Sequence, residues 1–117
     1  MAKLAGVVRV SANGELLETL PEAKLMLGGE ENETVSGHRV YGARGKIVPS
    51  KLSITLVWKN GSPIETLRNM RDGTAVFEAD IGEAYTVDGL NPTTTPEITG
   101  GSGEVTMEFE GNPAKKL

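Results

Sequence analysis

The chain has 117 residues, no cysteine and a formal net charge of −4. That length supports one hydrophobic core and not two. The missing cysteine excludes disulfides, thiol catalysis and thiolate-held zinc, and the acidic balance argues against gripping phosphate, where basic patches dominate affinity.

With one Trp, two Tyr and two Phe, a stacking platform for single-stranded nucleic acid is out of reach once a core has been filled. No apolar run is long enough for a transmembrane helix. The opening Met1–Gly6 carries one positive charge without the apolar stretch of a signal peptide, so the chain is expected to stay in the cytoplasm where it is made. Fifteen glycines, most of them between periodic segments, suit a chain of short strands and turns.

In chain order, the Val-rich run 6–11 reads as a strand. Asn13-Gly14 is a hairpin signal, because both central positions of a type I′ turn need positive φ, and Glu15–Thr19 is the return strand. Pro21 interrupts. Residues 23–27 form the next strand, with Ala23, Leu25 and Leu27 on one face, and Gly28-Gly29 ends it.

Residues 28–50 differ from the rest. They begin acidic at Glu30, Glu31 and Glu33 and continue through Gly37, Gly42 and Gly45, spaced among Val35, Val40 and Tyr41. They end basic at Arg39, Arg44 and Lys46. Little here can be buried at home, and a stretch of this length without core contacts is commonly functional. It is expected to be a long projecting arm or hairpin with some strand character.

Residues 51–58 alternate cleanly, with Leu52, Ile54, Leu56 and Trp58 facing one way and Lys51, Ser53 and Thr55 the other. After the Asn60-Gly61 turn, one helix is expected over 62–72. Ser62 and Glu65 have capping-box spacing, Pro63 suits the first helical position, and Ile64, Leu67 and Met70 share a face. Arg68 and Arg71 lie toward the C-terminal end, where cations suit the dipole, and Gly73 is placed for the C-terminal cap. So short a helix needs a sheet to lie against.

The strands 74–81 and 83–90 follow. Ala75, Phe77, Ala79 and Ile81 oppose Glu78 and Asp80 on the first, and Tyr85 and Val87 oppose Thr86 and Asp88 on the second. A polar turn at 91–95 leads to a short extended piece at 97–99. The strand 104–110 sets Val105, Met107 and Phe109 against Glu104, Glu108 and Glu110. Residues 111–117 read as a loose tail. The pattern predicts a mainly β fold, two packed antiparallel sheets in a sandwich or barrel-like arrangement with one short α-helix and the projecting arm.

No set of side chains converges on catalysis. The one histidine, His38, sits in the Gly-rich arm beside Ser36 and Arg39, poor ground for a nucleophile and base held in fixed geometry. Glu30, Glu31 and Glu33 lack the Asp/Asn and Gly frame of a calcium loop. None of the glycine clusters has the Lys-Ser/Thr of a phosphate-binding loop between strand and helix. Neither enzyme activity nor a metal or cofactor is expected. The carboxylates Glu78, Asp80, Glu104, Glu108 and Glu110 alternate with apolar residues, so they belong to outward strand faces. They form either a plain solvated surface or a negative wall lining a space.

Four stretches, taken together, resemble the tail tube protein of Mu-type contractile-tailed phages and related prophages. They are Val8-Arg9-Val10 with Asn13-Gly14-Glu15-Leu16-Leu17; Ala23-Lys24-Leu25-Met26-Leu27-Gly28-Gly29; Gly37, Val40-Tyr41-Gly42, Val48-Pro49 and Leu52-Ser53-Ile54; and the closing Gly103-Glu104-Val105-Thr106-Met107-Glu108-Phe109-Glu110-Gly111. The order and spacing agree from end to end, and the Thr- and Gly-rich segment Asn91–Gly103 is the main departure.

The resemblance implies that residues 1–117 form a single tail-tube domain, a structural virion protein of two packed β-sheets with one helix at the side. Six such subunits would form a ring, and stacked rings a channel for DNA ejection inside a contractile sheath. The type VI secretion tube and bacteriocin tubes share that architecture. Copies of itself, the sheath, the baseplate and the tape-measure protein would be its partners. DNA would pass without specific binding, and the protein would move from host cytoplasm into the virion tail.

On that footing Glu30, Glu31, Glu33, His38, Arg39, Tyr41, Arg44 and Lys46 are expected at an inter-subunit arm, its acidic start and basic end pairing across subunits. Glu78, Asp80, Glu104 and Glu108 are expected to face the lumen. The alternatives are another ring protein of the tail (terminator, baseplate or tube initiator) or a small monomeric β-module that binds carbohydrate or peptide.

Overall fold

The structure, a computed structural model, describes residues 8–20 and 23–117. Residues 6, 7 and 21 of the sequence reading lie outside that range.

Alternation of apolar and polar residues builds two antiparallel layers. The first contains β1 (Val8–Ala12), β2 (Glu15–Leu17), β7 (Gly73–Ala79), β8 (Ala84–Pro92) and β11 (Lys115–Lys116), in the order β2-β1-β7-β8, with β11 on the far side of β8. The second contains β3 (Lys24–Met26), β6 (Ser50–Val57), β10 (Glu104–Gly111) and β9 (Glu97–Thr99), which pairs with β10. The layers are joined at β8. Its residues from Ala84 to Leu90 pair with β7, while Asn91 and Pro92 pair with β10. The strand therefore runs on through residues expected to be a polar turn.

Between the layers lies one core. Val10, Ala12, Ala75, Val87 and Leu90 come from the first layer; Leu52, Ile54, Leu56, Val105, Met107 and Phe109 come from the second. The register explains the segregation. Leu52 is opposite Phe109, Ile54 opposite Met107 and Leu56 opposite Val105, and directly opposed residues share a face. Asn13 and Gly14 have φ of 50° and 84°, as a type I′ turn requires. Asn13 also fastens β7, its amide donating to Thr74 O at 2.7 Å and its Oδ1 accepting from Thr74 N at 3.0 Å. Past Leu17 the chain crosses to the second layer, where Leu20 N donates to Thr55 O and Val57 N to Glu18 O.

The helix α1 is Ile64–Arg68, far shorter than 62–72, and has no side-chain cap. Ser62 is used differently from a capping box. Its hydroxyl donates to Val57 O at 2.8 Å and accepts from Lys59 N at 2.9 Å, which closes a turn before the helix begins. Gly73 is no helix cap either. It is the first residue of β7, and a Cβ there would collide with the Met70 side chain. Leu67 and Met70 reach the core as expected, with Ile64 packed beside it.

Three residues that the alternation places on apolar strand faces are exposed: Leu27, Trp58 and Ile81. Each lies just beyond the end of its strand, where the pleat no longer holds the side chain inward. The supposed loose tail is ordered. Lys115 and Lys116 pair with Thr86 and Tyr85, Ala114 packs on the core, and Ala114 N donates to Leu27 O at 2.8 Å.

Candidate functional site

The segment without a core of its own is a separate two-stranded sheet, β4 (Gly29–Ser36) with β5 (Val40–Val48). Every residue from Glu30 to Ile47 except Val35 is exposed, and none belongs to the core. A compact chain of this length has a radius of gyration of about 13 Å, whereas this one has 16.9 Å and a longest axis of 60 Å. A lone two-stranded hairpin is marginally stable in water.

Its base is fixed by backbone. Gly28 and Gly29 take φ of 71° and 111°. A Cβ on Gly28 would sit 2.7 Å from Pro49 C and Ser50 N. The bond from Ala114 to Leu27 braces the same point.

Register divides the hairpin into two faces. Glu31 is opposite Lys46, Glu33 opposite Arg44 and Val35 opposite Gly42, which puts the alternating charges together. Glu33 lies 3.7 Å from Arg44 and 3.9 Å from Lys46. The acidic start and basic end therefore answer each other within one chain. With all three side chains more than half exposed, such pairs contribute about 0–1 kcal/mol each.

The other face pairs Glu30 with Ile47, Asn32 with Gly45, Thr34 with Ala43 and Ser36 with Val40. Its one ionised group, Glu30, lies along Gly45, where a Cβ would meet its carboxylate. Ile47 is 72% exposed and Val40 67%. His38 stands exposed at the tip, and the Arg39 guanidinium lies 5.8 Å from the centre of the Tyr41 ring.

The four carboxylates expected on one wall are divided by the sandwich. Glu78 is on the outer face of the first layer, opposite Arg9. Asp80 is in the turn after β7. Glu104 and Glu108 are on the outer face of the second layer, where Glu110 and Glu97 join them. Glu108 is met there by Lys51 at 3.7 Å and by the Thr94 hydroxyl at 3.2 Å.

Sequence reasoning missed Glu97, the role of Gly28, Ala114 and the hairpin face that is uncharged apart from Glu30 at its base. The signal for that face was present in the i, i+2 spacing of Glu31 with Glu33 and of Arg44 with Lys46. Among the described residues no cluster of His, Cys, Asp or Glu could hold a metal ion, and no helix is long and apolar enough to cross a membrane.

The sequence matches a family described as phage tail tube protein over residues 1–116. It is 27% identical over 112 residues to the Mu-like prophage FluMu tail tube protein of Haemophilus influenzae, covering 96% of this chain and 94% of that one. Two solved structures share the fold. One is the sheath–tube complex of an extracellular contractile injection system in the extended state (TM-score 0.71, 9% identity, 100% of this chain and 91% of that chain). The other is the tube-terminating cap of the anti-feeding prophage (TM-score 0.72, 10% identity, 100% of this chain and 94% of that chain).

Proposed function

Because this chain belongs to the phage tail tube protein family, in its Mu-like branch, we propose that it is the repeating subunit of an inner tail tube, six copies to a ring and rings stacked into a channel through which DNA is ejected. The observation that carries this reading is the hairpin. It has an antiparallel register along its length, with one bulge near the tip, and no core, an arrangement that gains its stability from a neighbouring copy. Single arms placed on successive neighbours make a heterologous contact, and heterologous contacts generate rings or filaments. The exposed edges of the two layers are then covered by pairing between subunits.

The channel wall is the outer face of the second layer. Glu97, Glu104, Glu108 and Glu110 outnumber Lys24 and Lys51 there, and a net negative wall repels phosphate, so that DNA slides rather than sticks. Glu78, on the opposite side of the sandwich, faces away from DNA. The surrounding partners are a sheath and baseplate, as the sheath–tube complex with the same fold suggests. The protein is assembled in the host and then carried in the virion tail.

A second reading, a ring that caps or terminates the tube, is favoured by the equal likeness to a tube-terminating cap. Negative-stain microscopy of the purified protein separates the two. Tubes of indefinite length support the first reading, single closed rings the second, and particles that stay monomeric at every concentration overturn both.

A further inference from the structure

The two faces of the hairpin differ in what burial would cost. On the charged face Glu33 is engaged with both Arg44 and Lys46. Covering that face strips water from an ion-pair network, and desolvation of that kind can exceed the Coulombic gain. On the opposite face Thr34, Ala43, Gly45 and Ile47 present small or apolar groups, and the one carboxylate, Glu30, already lies along Gly45 at the base of the arm. Covering this face desolvates at most one carboxylate, at the base of the arm, and breaks no ion-pair network.

We infer that the hairpin docks on a second copy of this chain through its uncharged face, with Ile47 as the anchoring side chain, and keeps its charged face in water. The inference rests on the proposed tube function and adds to it the face that makes the contact. The occupant follows from size. Eight residues of strand at about 3.4 Å each make a face about 27 Å long and roughly 10 Å wide. Covering it buries roughly 500 Å² in total, below the 1,200–2,000 Å² of a stable pairwise interface. One such contact does not hold an isolated pair. It holds an assembly in which every copy both gives and receives an arm, which identical chains supply and a foreign partner does not. The charges on the outward face then fix which neighbours are rejected rather than how tightly the right one binds.

The absence of cysteine makes a direct test available. Single cysteines are introduced on the uncharged face (Ala43→Cys, with Thr34→Cys as a second probe) and on the charged face (Glu31→Cys). Maleimide labelling rates are then compared between assembled tubes and dissociated subunits. The expected result is at least tenfold protection at 43 and 34 on assembly, with less than twofold change at 31. If both uncharged-face variants fail to assemble while Glu31→Cys forms tubes, the same face is implicated.

Protection at 31 with free labelling at 43 and 34 overturns the inference while leaving arm docking intact, as does failure of Glu31→Cys alone to assemble. Protection of both faces also overturns it. Free labelling of both faces in intact tubes sinks the docking reading itself.

Discussion

In the sandwich, β6 and β10 alternate buried and part-exposed residues along almost their whole length; in the hairpin, β4 is a strand of the same 8 residues with no buried position. The backbone pairing runs the length of both, broken in the hairpin only by a bulge between Val35 and Ser36. Hydrogen-bonded register therefore says little about where stability comes from. In β6 each second side chain is removed from water, and burial of a large apolar side chain contributes about 1.5–3 kcal/mol. In β4 and β5 no such gain is made within the chain. On the proposed function one region folds the chain and the other connects it, and substitutions are expected to divide along the same line.

The largest expected effect is in the sandwich. Phe109→Ala, at a side chain 2% exposed between the layers, should cost about 3–5 kcal/mol in urea unfolding. Ile47→Ala, in the hairpin, should change the stability of the monomer by less than about 0.5 kcal/mol and still abolish tube growth. A large loss of stability at Ile47 would erase the distinction between the two regions.

Next comes the joint between them. Gly28→Ala puts a Cβ against the Pro49–Ser50 backbone at positive φ and should cost about 1–3 kcal/mol, of the order of other strained backbone positions. It should also stop assembly by redirecting the arm. Normal tubes from this variant would show that the arm's direction is not set at its base. Removal of residues 114–117 takes away the bond to Leu27 O and the pairing of β11 with β8. At about 0.5–1.5 kcal/mol per net hydrogen bond, the loss should be read as a lower midpoint in chemical denaturation. An unchanged midpoint would mean that the tail only rests on the surface.

The smallest effects are on the outer faces. Glu104→Lys should leave assembly intact and slow DNA ejection, whereas Glu78→Lys on the other layer should not slow it. The reverse ranking would exchange the inner and outer walls of the tube.

The same contrast governs how much was legible in the sequence. Leu52–Leu56 and Val105–Phe109 declare a strand and its buried face by period alone, because a two-residue repeat leaves one face for the core. The type I′ turn at Asn13-Gly14 was legible for the same kind of reason, since few residue pairs accept its backbone angles. Trp58 and Ile81 extend the alternation in sequence but lie past the ends of their strands, and composition does not mark that end.

The capping-box spacing at Ser62 and Glu65 was outcompeted by a turn. The Ser62 hydroxyl had nearer partners in Lys59 N and Val57 O. In the arm, charge order along the chain suggested pairing between subunits. The register of β4 with β5 folds the acidic start onto the basic end, and a register is a property of two segments that neither displays alone. The tail looked polar and unconstrained, and its order depends on an edge of β8 that only the assembled fold presents.

The central claim is that the sandwich is complete in a single copy while the hairpin is completed by another. The most direct measurement is negative-stain microscopy of a variant lacking residues 32–46, purified beside the intact protein. The expected result is a folded, soluble subunit that forms no tubes at concentrations where the intact chain does. Tubes of normal diameter and length from the shortened chain would contradict it.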